Sequence, residues 1–153
     1  MITSSTPSEN PVDAAGTVDS VRLAVARTAR RMRQQAGHEL SPSRLSVLNT
    51  IAREGPITPS ELASIERISR PNVTRLVAKL RGEGLVDCIA AASDGRSYLV
   101  ALSKDGSALR ELRRARKSAY LARVLASADP EELELLDRAS KVLLRLVEED
   151  GEH

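Results

Sequence analysis

The chain has 153 residues, enough for one domain that buries its own core without covalent staples. Tyr98 and Tyr120 are the only aromatics, so the core is aliphatic. A lone Cys88 excludes an internal disulfide, and one Cys with two His residues is too few for a metal site. The net charge of +2 is laid out unevenly, with +5 over residues 104–128 and −6 over residues 129–153, which suits one part facing a polyanion and another turned away from it; ordinary solvated helix faces would give the same totals.

Residues 1–17 are rich in Ser, Thr, Pro and small residues without periodicity and read as a disordered tail. They lack the basic start and apolar run of a secretory signal, and no stretch of the chain approaches the roughly 18–20 apolar residues that span a bilayer. A cytoplasmic protein with no membrane partner is expected. Residues 18–40 hold an N-terminal helix with Val18, Val21, Val25, Ala29 and Met32 on one stripe and five arginines around it. A stripe spaced by threes and fours is core or a partner-helix face. Gly37-His38 breaks it. Ser41-Pro42 starts a second helix with Leu45, Leu48, Ile51 and Ala52 inward, ending at Glu54-Gly55-Pro56.

Ile57–Leu80 then reads as two short helices joined by a tight turn. Thr58-Pro59-Ser60-Glu61 is a capping box with Pro at the first helical position. Ser69 is placed to cap the next helix, about 69–81, with Pro71 tolerated in its first turn. There Val73, Leu76, Val77 and Leu80 form an inward stripe. The opposite face carries Arg70, Asn72, Thr74, Arg75 and Lys79, with no acid among them. An apolar back and a donor-rich front are what a helix needs to hydrogen-bond phosphates and base edges. Gly82 and Gly84 end the helical pattern.

From about 85 to 103 the period changes to two. LVDCIAA and SYLVALS are strand candidates joined through Ser93-Asp94-Gly95-Arg96, and Asp-Gly between apolar runs signals a hairpin turn. Three helices followed by a hairpin make a winged helix-turn-helix, here residues 41–103. Residues 104–150 supply two further helices. The first, capped by Ser103, carries Leu109, Leu112, Ala115, Ala119 and Leu125 toward one side. The second starts at Asp129-Pro130-Glu131-Glu132 and carries more apolar surface, including Leu133, Leu136, Leu143 and Val147, than a solitary terminal helix exposes. The fold class expected is mainly α with a small β-hairpin wing.

The order of these elements and their phrases resemble the MarR (multiple antibiotic resistance regulator) family. The phrases are Leu40-Ser41-Pro42-Ser43-Arg44-Leu45-Ser46-Val47-Leu48, Ile57-Thr58-Pro59-Ser60-Glu61-Leu62-Ala63, Ser69-Arg70-Pro71-Asn72-Val73-Thr74-Arg75-Leu76-Val77, Gly84-Leu85-Val86, Asp94-Gly95-Arg96 and Leu102-Ser103-Lys104-Asp105-Gly106. The resemblance covers roughly residues 18–150. It implies a homodimer built from the N- and C-terminal helices, bound to a pseudo-palindromic double-stranded operator. It further implies a repressor relieved by a small anionic or aromatic effector. Arg70, Pro71, Asn72, Thr74 and Arg75 match the family's major-groove face, with Lys79 further along toward phosphate. Arg96 matches the wing-tip arginine of the minor groove and Asp94 the acid that orients it. His38 is a candidate for lining the effector pocket. One departure is that Asp87-Cys88-Ile89 and Ala90-Ala91-Ala92 stand where the family usually has basic and polar residues, so the wing is short of charge and the salt dependence of DNA binding is expected to be shallower.

Each of these residues also has a structural role open to it. Arg96 could be a solvated turn residue paired with Asp94, and Asn72 and Thr74 could serve capping and local backbone bonding. Cys88 invites a redox-responsive regulator, but no cluster of activating bases stands beside it, which favours an incidental thiol. A helical dimeric adaptor that lost operator specificity is the alternative from another class. An enzyme is disfavoured, because there is no Gly-rich phosphate loop, no nucleophile–base–orienter set and no cofactor motif.

Overall fold

The computed structural model describes residues 14–91 and 98–151. The wing-tip residues Asp94, Gly95 and Arg96, and the tail before residue 14, lie outside these. The described elements are α1 (Ala14–Gln35), α2 (Pro42–Glu54), α3 (Pro59–Glu66), α4 (Arg70–Gly82), β1 (Val86–Ala90), β2 (Tyr98–Leu102), α5 (Lys104–Leu125) and α6 (Pro130–Gly151). The first helix therefore begins at Ala14, and residues 14–17 belong to it and not to the tail. Ala14 and Ala15 are strong helix formers and extend the periodic segment backwards at little cost.

Helix boundaries follow side-chain caps. Ser41 accepts from the Arg44 amide at 3.5 Å, and Thr58 accepts from the Glu61 amide at 3.2 Å while Glu61 accepts from the Thr58 amide at 2.9 Å, a complete capping box. Asp129 and Glu132 form the same reciprocal pair at the start of α6, at 2.8 and 3.0 Å. Ser69 occupies the N-cap position of α4 but makes no side-chain cap bond. Helix α4 stops in a Schellman motif: the Leu85 amide reaches the Leu80 carbonyl at 2.9 Å and the Gly84 amide reaches Arg81, with Gly84 at φ 73°, which a Cβ disfavours.

Strands β1 and β2 pair antiparallel, with Val86 opposite Leu102, Cys88 opposite Val100 and Ala90 opposite Tyr98. A third partner joins them. Ile57, just before α3, bridges Val100 through bonds of 3.0 and 2.8 Å, so β2 lies between Ile57 and β1. The core gathers Leu48 and Ile51 of α2, Leu62 of α3, Val73, Val77 and Leu80 of α4, and Leu85, Val86 and Val100 at the base of the wing. Each such side chain withdrawn from water contributes about 1.5–3 kcal/mol. Val47 is fully buried as well, while Leu45 and Ala52, expected inward, are half-buried.

The outer helices differ. α6 has no buried residue, and Val147, Leu144 and Leu135 are 60% exposed or more. On α1, Val18, Val21 and Val25 are exposed, Ala29 and Met32 are half-buried, and Ala36, just past its end, is fully buried; α1 packs on α5. In α5 the apolar stripe is covered only at its ends: Leu109 and Leu125 are half-buried, Leu109 against the core, Leu112, Ala115 and Ala119 are exposed, and the buried residues are Gly106 and Arg113.

Candidate nucleic-acid interface

Three contacts brace the helix-turn-helix from behind. Glu66, ending α3, accepts from Ser46 at 2.7 Å and from the buried Thr50, both on α2. Arg44 at the start of α2 pairs with Glu83 at the end of α4. The turn between α3 and α4 puts Arg67 in the left-handed region at φ 53°, ψ 41°, with the Ile68 amide bonded to the Ala63 carbonyl at 3.1 Å. That single left-handed residue swings α4 across α3.

With Val73, Val77 and Leu80 buried and Leu76 half-buried, α4 exposes Arg70, Pro71, Asn72, Thr74, Arg75 and Lys79 on one continuous face. Local bonds order several of them. Arg70 donates to Ser60 in the first turn of α3, Arg75 Nη2 donates to Asn72 Oδ1 at 3.0 Å, and the Thr74 hydroxyl donates to the Arg70 carbonyl at 3.1 Å. Asn72 and Thr74 thus make the local bonds open to their residue types while remaining on the exposed face. No acid interrupts the face, whose charges are Arg70, Arg75, Lys79 and, in the last turn, Arg81.

The wing is joined to this unit at its base. Ser103 donates to the Gly84 carbonyl at 2.6 Å, accepts from the Gly106 amide at 2.9 Å, and through its own amide donates to Leu85 at 3.1 Å. Gly106 is needed there: a Cβ would lie 2.1 Å from the Leu85 carbonyl oxygen. Cys88 is half-buried in β1 and lines a groove of about 200 Å³ with Thr74, Val77, Ala78, Arg81 and Tyr98, between α4 and the wing.

Sequence reasoning missed a second cluster, at the joint of α1, α2 and α5. Arg113, 6% exposed, donates through Nη1 to the Gly37 carbonyl and to Glu39, each at 2.9 Å. Arg116 donates to the Ala36 carbonyl at 3.2 Å and also pairs with Glu39. The hydrogen bond from Arg116, above all, holds the Glu39 carboxyl below its ordinary value, helped by a backbone hydrogen bond and the charges of both arginines and opposed by desolvation. Beside this cluster a cleft of about 260 Å³ opens between α2 and α5, lined by Leu45, Asn49, Arg110, Glu111, Arg113, Arg114 and Lys117, where Arg110 donates to Asn49 at 3.1 Å. His38 is exposed and lines neither the cleft nor the groove. Among the described residues no group of three or more His, Cys, Asp and Glu side chains is placed to hold a metal ion, and no helix is long and apolar enough to cross a membrane.

Comparison with known proteins points one way. Residues 38–97 match the family model described as MarR family. An HTH-type transcriptional regulator of Mycobacterium bovis, Mb0904, is 38% identical over 128 residues, covering 83% of this chain and 90% of its own length. The crystal structure of the transcriptional regulator Tm0710 from Thermotoga maritima superposes with a TM-score of 0.78 at 18% identity, over 88% of this chain and 99% of that one. A mutant of S. aureus MepR bound to an oligodeoxyribonucleotide superposes at 0.69 with 16% identity, over 86% and 97%. At these identities the two structures speak for the fold alone.

Proposed function

Because this chain belongs to the MarR family, we propose that it binds a pseudo-palindromic operator as a homodimer and represses from it until a small organic anion lowers its affinity for DNA. It is a transcriptional regulator with a winged helix, and the curated relatives are regulators rather than enzymes. The observation that carries the fuller reading is the exposed, acid-free face of α4, mounted on a buried stripe and braced by Glu66 and Arg44. Arg70, Pro71, Asn72, Thr74 and Arg75 would form the face turned to the major groove, Lys79 would meet phosphate, and Arg96, oriented by Asp94, would enter the minor groove. Residues 41–103 would be the DNA-binding unit.

The homodimer draws support from α1 and α6, whose apolar faces have no cover in the single chain. Residues 18–40 and 104–150 would supply the interface, and two-fold symmetry would set the two α4 helices about one DNA turn apart, roughly 34 Å. The anionic effector draws support from the cleft between α2 and α5, where four basic side chains stand against one acid beside an apolar wall at Leu45. An anion there would favour a dimer whose α4 helices no longer fit successive grooves. A cytoplasmic location follows from the role.

Fluorescence anisotropy against the chain's own promoter DNA and a shuffled duplex tests the reading. Tight binding confined to the promoter, and lost in Arg75→Ala and Arg96→Ala, is expected. Equal weak binding to every duplex would sink it.

A further inference from the structure

We infer that two of the three arginines of α4 divide the work of recognition, Arg75 reading a guanine in each half-site and Arg70 gripping the phosphate backbone beside it. This rests on the role of α4 as a DNA reader proposed above.

At 3.6 residues per turn, the line opposite Val73, Val77 and Leu80 runs through Pro71, Arg75, Ala78 and Gly82, all exposed. A helix seated in the major groove with its buried stripe away from DNA presents this line deepest. Three of the four residues are short, so the backbone can come close to the base edges. Arg75 is the one long side chain on the line and its one side-chain donor.

The Arg75 guanidinium is held from one side. Its Nη2 donates to Asn72 Oδ1 at 3.0 Å, which orients the fork and leaves further N–H groups for a second partner. Parallel donors fit guanine, which alone presents two acceptors side by side, O6 and N7, in the major groove. The same bond occupies one of the two lone pairs of Asn72 Oδ1 and turns that amide toward Arg75, so it aims Arg75 and disfavours a bidentate pair between Asn72 and adenine.

Arg70 differs on each count. It lies on the flank of α4 nearer the buried stripe, and its tether to Ser60 leans it toward α3. Off the deep line, the acceptors within its reach belong to the phosphate rim.

The test is selection from a random duplex pool by the full-length protein and by Arg75→Ala, Asn72→Ala and Arg70→Ala, followed by titration on the selected duplex. The wild type is expected to select a motif with one invariant G·C pair in each half-site. Arg75→Ala should lose discrimination at that pair by on the order of tenfold or more and keep the rest of the motif. Asn72→Ala should weaken the same preference by a smaller factor. Placing 7-deazaguanine at that position should weaken the wild type and leave Arg75→Ala unchanged. Arg70→Ala should keep the motif, bind all duplexes more weakly and lower the salt slope by about one. A motif unchanged by Arg75→Ala, or relaxed at a base pair by Arg70→Ala, overturns the division of labour while α4 remains a DNA reader. A wild type that selects no motif overturns both.

Discussion

Arg113 and Glu39 meet at 2.9 Å across 74 residues of sequence, tying the middle of α5 to the turn that leaves α1. The arginine is buried and the carboxylate is partly exposed, so cutting the pair from the two sides leaves different groups behind. Arg113→Ala strands the Gly37 carbonyl and removes one partner of Glu39, and should cost about 1.5–3 kcal/mol in urea unfolding. Glu39→Gln leaves the buried Arg113 charge without its carboxylate and should cost at least as much.

The same pair predicts a pH dependence. The Glu39 carboxyl is held below its ordinary value near 4.5. A group depressed in the folded state contributes in full above its unfolded pKa and loses that contribution as pH falls through the folded value. The gap in melting temperature between wild type and Glu39→Gln should therefore be constant from pH 7 to about 5 and close as the pH is lowered further. A gap that widens with acid would contradict the arrangement.

Gly106 and Gly82 make a matched contrast. Gly106→Ala drives a Cβ to 2.1 Å from the Leu85 carbonyl oxygen and 2.9 Å from Leu102 Cδ1. Backbone cannot retreat as a flexible side chain would, so about 1–3 kcal/mol of destabilisation is expected. Gly82→Ala meets nothing within 4 Å and should be neutral or stabilising by up to about 1 kcal/mol. Denaturant midpoints of the two variants check both signs.

Arg67 holds a left-handed backbone without being glycine. Arg67→Gly should raise stability by about 1 kcal/mol through relief of the Cβ clash, read as a higher melting temperature. A fall would mean that the arginine side chain contributes more than its backbone costs.

The apolar stripe of α6 gives a prediction about assembly. Leu136→Arg with Leu143→Arg should convert a dimer in light scattering to a monomer while the winged helix keeps its fold, because neither side chain is buried within the chain. Operator binding should fall at least tenfold with the loss of the second reader. A dimer of undiminished mass would place the interface elsewhere.

Much of the fold could be read in advance because it is written locally. The Thr58–Glu61 box, the Asp129–Glu132 pair and the stripe of α4 depend on residues a few positions apart, and each is found where periodicity and capping place it. The Ile57–Val100 bridge and the Arg113–Glu39 pair join distant segments, and nothing within one window of sequence announces them. α5 is ambiguous for a related reason. A stripe such as Leu112, Ala115 and Ala119 has the same period whether its partner is the same chain or another, and within this chain the buried residues are Gly106 and Arg113. On α4, spacing identifies the exposed face, while the tether of Arg70 to Ser60 requires the crossing of two helices to be known.

The knot of bonds at Ser103 has a mechanical consequence. It welds the first turn of α5 to the end of α4, and the bridge at Ile57 locks the hairpin to the start of α3, so wing and reader form one stiff head on a long handle. At 1.5 Å per residue the 22-residue α5 is roughly 33 Å long. A tilt of about 10° at its far end sweeps the head through roughly 6 Å, more than the pitch of a helical turn. In the proposed dimer, leverage of this kind would let a displacement too small to disturb packing among the outer helices carry a reading head out of register with its groove.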